Sequence, residues 1–483
     1  MYLLAGITLA LIGIIVGCSE VSKFLEEIIA LEPPAQDGDA GQNQDKPTPT
    51  PTKTPKPDAT PTPYVTPTPA PFARPDVFCT YFHYFQAGPH DFNQWWIEGI
   101  HPNNIKGPEP WRRDIWVGRP GDYPYIGIYN NMRNGEIMRW HIRLAKAAGI
   151  TAFLLYVNDW QSERAQTDLL LEVARQEHFK IGFIEHHSLL GARVIRRLDG
   201  RPQPMLPQKY LGYEEISRRH AQRLGLPLPS NVSPYEDANA RKARDIPADA
   251  LNQAVERMSG MVAQWKAHPA YLRVDGKPLL VIPFLVEELT AAEFKQIVDA
   301  VTQRVGEALY VVAIVPDVYW YFAPEAVLST GMSQEWANTG VSAFTHWTPN
   351  GMITATKKVR QKAVQFHASD SKRWHKDVMI PIMPGFDDDA WRPGDSPAPT
   401  APRNNGQAWG EQIDNALTVK PRFLFIQGWN EWHEGSQIEP STLDSDPYLY
   451  LQILSQRLKR PWQPPQMPPQ EHVDALRRPY LPY

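Results

Sequence analysis

Behind the apolar run Phe423 to Ile426 stands Gln427-Gly428-Trp429-Asn430-Glu431-Trp432-His433-Glu434-Gly435-Ser436-Gln437-Ile438-Glu439-Pro440-Ser441, which holds three carboxylates, two tryptophans and a histidine. Paired carboxylates at the exit of a strand suit the cleavage of a glycosidic bond. That reaction passes through an oxocarbenium-like transition state, in which one group protonates the leaving oxygen and another attacks or deprotonates the attacker. Glu431 and Glu434 are the candidate pair. Trp432 offers a flat face for a sugar ring, while Asn430, His433, Gln437 and Glu439 can hydrogen-bond its hydroxyls. The bland alternative is a solvated acidic turn with Trp429 and Trp432 as ordinary core. Glu431 and Glu434 are three apart, so a regular strand would point them to opposite faces; a turn after Gln427 is required to bring both to one substrate.

The elements that must position these groups read as a parallel sheet with crossover helices. Eight β-rich apolar runs are candidate strands: 77–84, 151–157, 180–185, 278–284, 309–315, 341–346, 378–383 and 423–427. Eight strands alternating with helical stretches predict an α/β fold, a (β/α)8 TIM barrel with long loop insertions. Gly135 to Ala148 aligns Ile137, Trp140, His141, Leu144 and Ala148 on one face, with Gly149 placed to cap it. Thr290-Ala291-Ala292-Glu293 is a capping box for a helix to Val305. A Trp, Pro and Gly-rich stretch, 95–129, follows the first strand, and 188–247 is a long basic insertion after the third.

A barrel of this kind locates its chemistry at the C-terminal ends of its strands. The strand exits carry His83-Tyr84, Asn158-Asp159-Trp160, Glu185-His186-His187, Pro283-Phe284, Asp317, His346-Trp347, Asp387-Asp388-Asp389 and the Glu431 to Glu434 cluster. Singly, each is as readily a loop-stabilising group as a ligand; together they predict one polar cleft. Glu185 is the candidate supporting carboxylate, with Tyr84, Trp160, His186, His346, Trp347 and Asp387 in sugar binding. Adjacent histidines on a strand point apart and three consecutive aspartates do not converge on one ion, so no metal site is expected.

The stretch from Trp429 to Glu439 resembles the Trp-Asn-Glu-Trp-His-Glu-Gly-Thr-Gln-Ile-Glu signature of glycoside hydrolase family 99, with Ser436 in place of Thr. That family comprises endo-acting α-mannosidases and α-mannanases, with relatives described as polysaccharide-cluster glycosyltransferases. Tyr271-Leu272-Arg273-Val274-Asp275-Gly276-Lys277-Pro278, Pro384-Gly385-Phe386-Asp387-Asp388, and Arg403 followed by Gly406 and Trp409 are similar to the family in the same order. At Tyr81 to Phe85 the chain departs from the family's Tyr-Pro-Trp-Tyr-like strand end. The resemblance implies a retaining hydrolase with no metal or other cofactor. In it Glu431 deprotonates the sugar's own 2-hydroxyl, which attacks C1 to give a 1,2-anhydro intermediate, and Glu434 protonates the leaving oxygen and then activates water.

The 483 residues, 42% hydrophobic with 16 Trp, 19 Tyr and 17 Phe, suffice for one large barrel. A net charge of −4 gives no general pull toward nucleic acid, and two cysteines, Cys18 and Cys79, make no disulfide framework. Residues 1–18 read as a lipoprotein-type signal segment ending in Ile15-Val16-Gly17-Cys18, with Cys18 the lipidated residue; the segment lacks a basic start, so an uncleaved anchor is the competing account. Residues 19–75 are a linker, Pro/Thr-alternating and extended from 46 onward; 76–465 are the catalytic barrel and 466–483 a Pro-rich tail. The expectation is a monomeric, extracytoplasmic bacterial lipoprotein held to the membrane by its N-terminal lipid, acting on an oligo- or polysaccharide. A glycosyltransferase and a non-catalytic carbohydrate-binding lipoprotein are the alternatives.

Overall fold

The computed structural model describes residues 74–83, 122–127, 129, 131, 133–157, 159–185, 248–283, 291–315, 334–347, 353, 356–387, 400–444 and 446–468. Cys18, the Pro/Thr linker, Tyr84, Asn158, His186, His187, Phe284, Thr290, Asp317, Asp388, Asp389 and the 188–247 insertion lie outside them.

Eight parallel strands form the expected closed barrel: β1 (Asp76–Tyr81), β2 (Ala152–Val157), β3 (Lys180–Glu185), β5 (Lys277–Pro283), β6 (Tyr310–Val315), β7 (Val341–His346), β8 (Asp377–Ile382) and β9 (Phe423–Ile426). β4 (Arg273–Val274) is a short antiparallel partner of β5. The order is β3-β2-β1-β9-β8-β7-β6-β5, and β3 closes on β5 through Phe183 opposite Leu280 and Ile184 opposite Val281. The strand interiors are continuous apolar runs because both faces are covered, one by the barrel interior and the other by helices. The covering helices are α1 (Gly135–Ala148), α2 (Arg164–Gln176), α3 (Ala248–Trp265), α4 (Ala291–Val305), the short α5 (Gln334–Ala337), α6 (Lys357–Arg373), α7 (Gln407–Thr418) and α8 (Leu449–Arg457).

Local chemistry sets the boundaries. The Asn134 carboxamide oxygen accepts from the backbone N–H groups of Glu136 and Ile137 at 3.0 and 3.3 Å, starting α1, and Gly149 ends it at φ 97°. Asp275 and Gly276 both take positive φ, 51° and 75°, which gives the two-residue turn whose twist suits the β4–β5 hairpin. β1 stops at Tyr81, three residues short of the sequence expectation. The Phe82 N–H is taken by the Asn430 side chain at 2.9 Å, and the Phe82 carbonyl accepts from Asn430 and Asn131, both at 2.7 Å, so side chains replace the sheet ladder. At the opposite end of the barrel Arg422 donates to Asp275 at 2.6 Å and to Asp377 at 2.7 Å. Beyond α8, Trp462 and Met467 pack against the core.

Candidate active site

β9 hands the chain into a fold-back rather than another strand. The Trp429 N–H reaches the Thr80 carbonyl at 2.7 Å, extending the β1 contact by one rung. Returning, Glu439 donates its N–H to the Trp429 carbonyl at 2.8 Å and Ile438 to the Gly428 carbonyl at 3.2 Å. The tip between them is a turn over residues 432–435, closed by the Ser436 N–H on the Glu431 carbonyl at 3.2 Å and by Gly435 at φ 57°. This is the bend the spacing of Glu431 and Glu434 requires. The barrel braces the tip from two sides: Asp387 donates its N–H to the Glu434 carbonyl at 2.8 Å, and Arg403 reaches the Gly435 carbonyl at 3.1 Å.

Glu431 is 6% exposed and its carboxylate lies 3.2 Å from Nδ1 of His433. Glu434 is half-buried, and one of its oxygens accepts from Nε2 of Gln427 at 3.2 Å. Both charges act on the same neighbour. The Tyr156 phenol, on β2, is pushed well above its usual range by burial first, and then by the charges of Glu185, Glu434 and Glu431. The carboxylates at the ends of β3 and β9 thus act on the same phenol through their charge. Tyr156 belongs to an aromatic cluster, 5.4 Å from Phe82 and 5.7 Å from Trp347, with Trp347 6.0 Å from Phe425.

Glu185 differs from the pair. Burial raises its carboxyl to about 7, although Arg257 on α3 donates to it at 3.0 Å and pulls the other way. Among the described residues its second oxygen is buried without a hydrogen-bond partner. Arg257 also lines a cavity of about 500 Å³ together with Asp159, Trp160, Glu256 and Arg304. Trp160 reaches that cavity from above Gly260, edge-on to Trp265 at 6.3 Å.

Other sequence candidates take different places. Trp347 is half-buried beside the Tyr156 ring. His346 is buried against His367, rings 5.4 Å apart, and burial lowers the His367 imidazole to about 4. His83 is buried near Glu163 and held neutral, lowered to about 3 by burial. Four residues assigned to sugar binding lie behind the cleft wall instead. Trp432 is fully buried with its N–H on Glu439, Asn430 clamps the end of β1, and Gln437 donates to Asp122 at 2.9 Å. Glu439 is 1% exposed. Trp429 is likewise sealed, and the core reading holds for both tryptophans. Among the described residues no cluster of three or more His, Cys, Asp or Glu side chains is arranged to hold a metal ion. Tyr156, Arg257 and Gln427 carry no sequence signal, since a strand tyrosine, a helix arginine and a strand-end glutamine are common in any barrel.

Residues 235–457 match the family model for Glycosyl hydrolase family 99. The glycoprotein endo-alpha-1,2-mannosidase-like protein of Mus musculus is 33% identical over 113 residues, 23% of this chain and 24% of that protein. The glycoprotein endo-alpha-1,2-mannosidase of Xenopus laevis is 34% identical over 108 residues, 20% of this chain and 23% of that protein. The aligned stretch thus spans about a quarter of the length of these curated relatives. In fold, the chain is similar to the GH99 endo-alpha-mannosidase from Bacteroides thetaiotaomicron, with a TM-score of 0.52 and 16% identity over 83% of this chain and 98% of that one.

Proposed function

We propose that this glycosyl hydrolase family 99-like chain is a retaining, endo-acting glycoside hydrolase of α-mannoside-type or related glycans. The observation that carries the reading is the turn after β9, which sets the Glu431 carboxylate 3.2 Å from His433 and the Glu434 carboxylate 3.2 Å from Gln427 at the barrel end where such folds do their chemistry. Glu431 takes the proton of the substrate 2-hydroxyl, whose oxygen attacks C1 as the leaving oxygen receives a proton from Glu434. A water then attacks C1 of the resulting 1,2-anhydro sugar and gives its proton to Glu434, while the C1–O2 bond breaks and O2 retakes its proton from Glu431. Two displacements at C1 preserve the anomeric configuration. Glu185, raised to about 7, is suited to donate to a sugar oxygen, and Trp347 offers a half-buried ring face 5.7 Å from Tyr156.

The test uses an α-mannan and glycan panel, following reducing ends and the anomer formed by NMR. Glu434→Gln and Glu431→Gln are each expected to lower kcat by about 10²-fold or more. Activity untouched by both substitutions overturns the assignment, and inversion overturns the anhydro route. Binding without turnover selects the carbohydrate-binding alternative, and transfer to an acceptor sugar selects the transferase.

The same proposal sets the enzyme on the outer side of a membrane as a monomer, tethered by a lipid on Cys18 with residues 46–75 as spacer. Support comes from the Ile15 to Cys18 pattern and the Pro/Thr alternation. Cys18→Ser should move the protein out of the membrane fraction as judged by detergent partitioning; unchanged partitioning speaks for an uncleaved anchor.

A further inference from the structure

Glu439 is the acid of the signature stretch that faces inward. We propose that Glu439 and His141 are positioning residues which hold the turn bearing Glu431 and Glu434, an inference that rests on the function proposed above. The Glu439 carboxylate receives three donors from three parts of the chain: Nε2 of His141 on α1 at 2.9 Å, the hydroxyl of Tyr129 at 2.8 Å and the indole N–H of Trp432 at 2.9 Å. A carboxylate removed from water is tolerable only when its oxygens are filled in this way, and each such charge-assisted bond is stronger than a neutral one. Trp432 stands between Glu431 and His433, so its indole bond fixes the rotation of the turn from behind.

The network continues to the barrel. His141 Nδ1 lies 3.1 Å from the Tyr81 hydroxyl at the end of β1, and Asn131 donates to that hydroxyl at 3.3 Å. Asn430, immediately before Glu431, donates to the Tyr129 hydroxyl at 3.3 Å. One assignment of protons serves His141, Tyr81 and Tyr129 together. With three donors aimed at it, the Glu439 carboxylate accepts, so Nε2 of His141 carries the hydrogen, and Nδ1 then accepts the Tyr81 proton. Burial, with the charge of Glu439 acting in the same direction, pushes both phenols upward and keeps them protonated as donors. Glu439 thus ties the turn to β1, α1 and the segment before α1 at once, without touching substrate.

Glu439→Gln keeps the shape but turns an amide N–H₂ toward at least one of the three donors. It is expected to lower kcat on α-mannan by about 10-fold to 100-fold, with KM within about threefold of the parent and cooperative unfolding retained. The Trp432 indole N–H, assigned in a 15N spectrum by its loss in Trp432→Phe, is expected to shift and to exchange about tenfold faster in Glu439→Gln. His141→Phe should act in the same direction, and the double variant should lose less than the product of the two single losses. Unchanged kcat in Glu439→Gln while Glu434→Gln is inactive overturns the positioning role, as does a loss that only follows the folded fraction. If no glycan is turned over, or if Glu431→Gln and Glu434→Gln stay fully active, the proposed function has failed on its own. The indole signal then decides, and an unshifted N–H in Glu439→Gln overturns the anchor. Should Glu439→Gln not fold, Tyr129→Phe removes one donor and leaves the charge; a smaller loss of kcat is expected, and no change in kcat or in the indole signal overturns the proposal.

Discussion

Glu185 holds its proton because burial outweighs a guanidinium 3.0 Å away. A carboxyl raised from 4.5 to about 7 binds its proton more readily when the chain is folded. Between those values the folded state therefore carries the extra proton, and stability falls as pH rises through that window, by up to about 3 kcal/mol. Glu185→Gln should flatten this slope in urea melts run from pH 4 to pH 8. Arg257→Ala should move the upper limit of the window higher, because the guanidinium is what restrains the shift. Melts of Glu185→Gln that keep the parental slope would show the carboxyl to be ordinary. At this scale the sequence was partly legible. Glu431 and Glu434 sit in one short stretch with an unusual density of polar and aromatic groups, so their types and spacing name them. Glu185 is read only through its place at a strand exit. Tyr156 and Arg257 become visible in three dimensions alone, since the first shares its alternation with core residues and the second belongs to a helix 72 residues away from its partner.

The fold-back after β9 is the element on which the site depends, and Gly428 is its tightest point. A Cβ there would stand 2.7 Å from the Glu431 Cβ and 3.3 Å from the Ser436 hydroxyl, so the chain itself has to yield. Gly428→Ala is expected to cost about 1–3 kcal/mol of stability and to displace Glu431, with a fall in turnover larger than the stability loss explains. Gly276→Ala supplies the contrast: open space surrounds it, but its φ of 75° burdens any side chain, so stability should fall by about 1–2 kcal/mol while turnover stays. Equal turnover losses in the two variants would remove the fold-back from the mechanism. Strands and helices were readable because buried parallel strands are apolar from end to end and because Asn134 and Gly149 punctuate α1. The early end of β1 was not, since a carboxamide 348 residues further on takes the place of a neighbouring backbone. The fold-back itself was foreseen only as a necessity, from two acids three residues apart.

Across the whole molecule, the barrel is sewn shut where its first and last strands meet, with Phe78 opposite Phe425 and Cys79 opposite Ile426. Cys79 is fully buried on that seam, and burial pushes its thiol well above the usual range, so the native protein hides both the atom and its reactive form. In a Cys18→Ser protein, where Cys79 is the sole thiol, alkylation should be slow and should accelerate with urea in step with unfolding. Rapid labelling without urea would mean the seam opens by itself. Eight apolar runs were enough to expect a barrel, because that is the number at which a twisted parallel sheet closes on a filled interior. The pairing that closes it was implied by the count alone.

That seam also fixes an order of events during synthesis. β1 is made early, yet its outer edge of N–H and C=O groups waits for Phe423–Ile426, near the opposite end of the chain. Until translation reaches that point, the nascent polypeptide carries an open edge that can recruit any passing strand, its own or a neighbour's. A premature stop short of residue 423 would therefore leave an aggregation-prone remnant in place of a weakened catalyst.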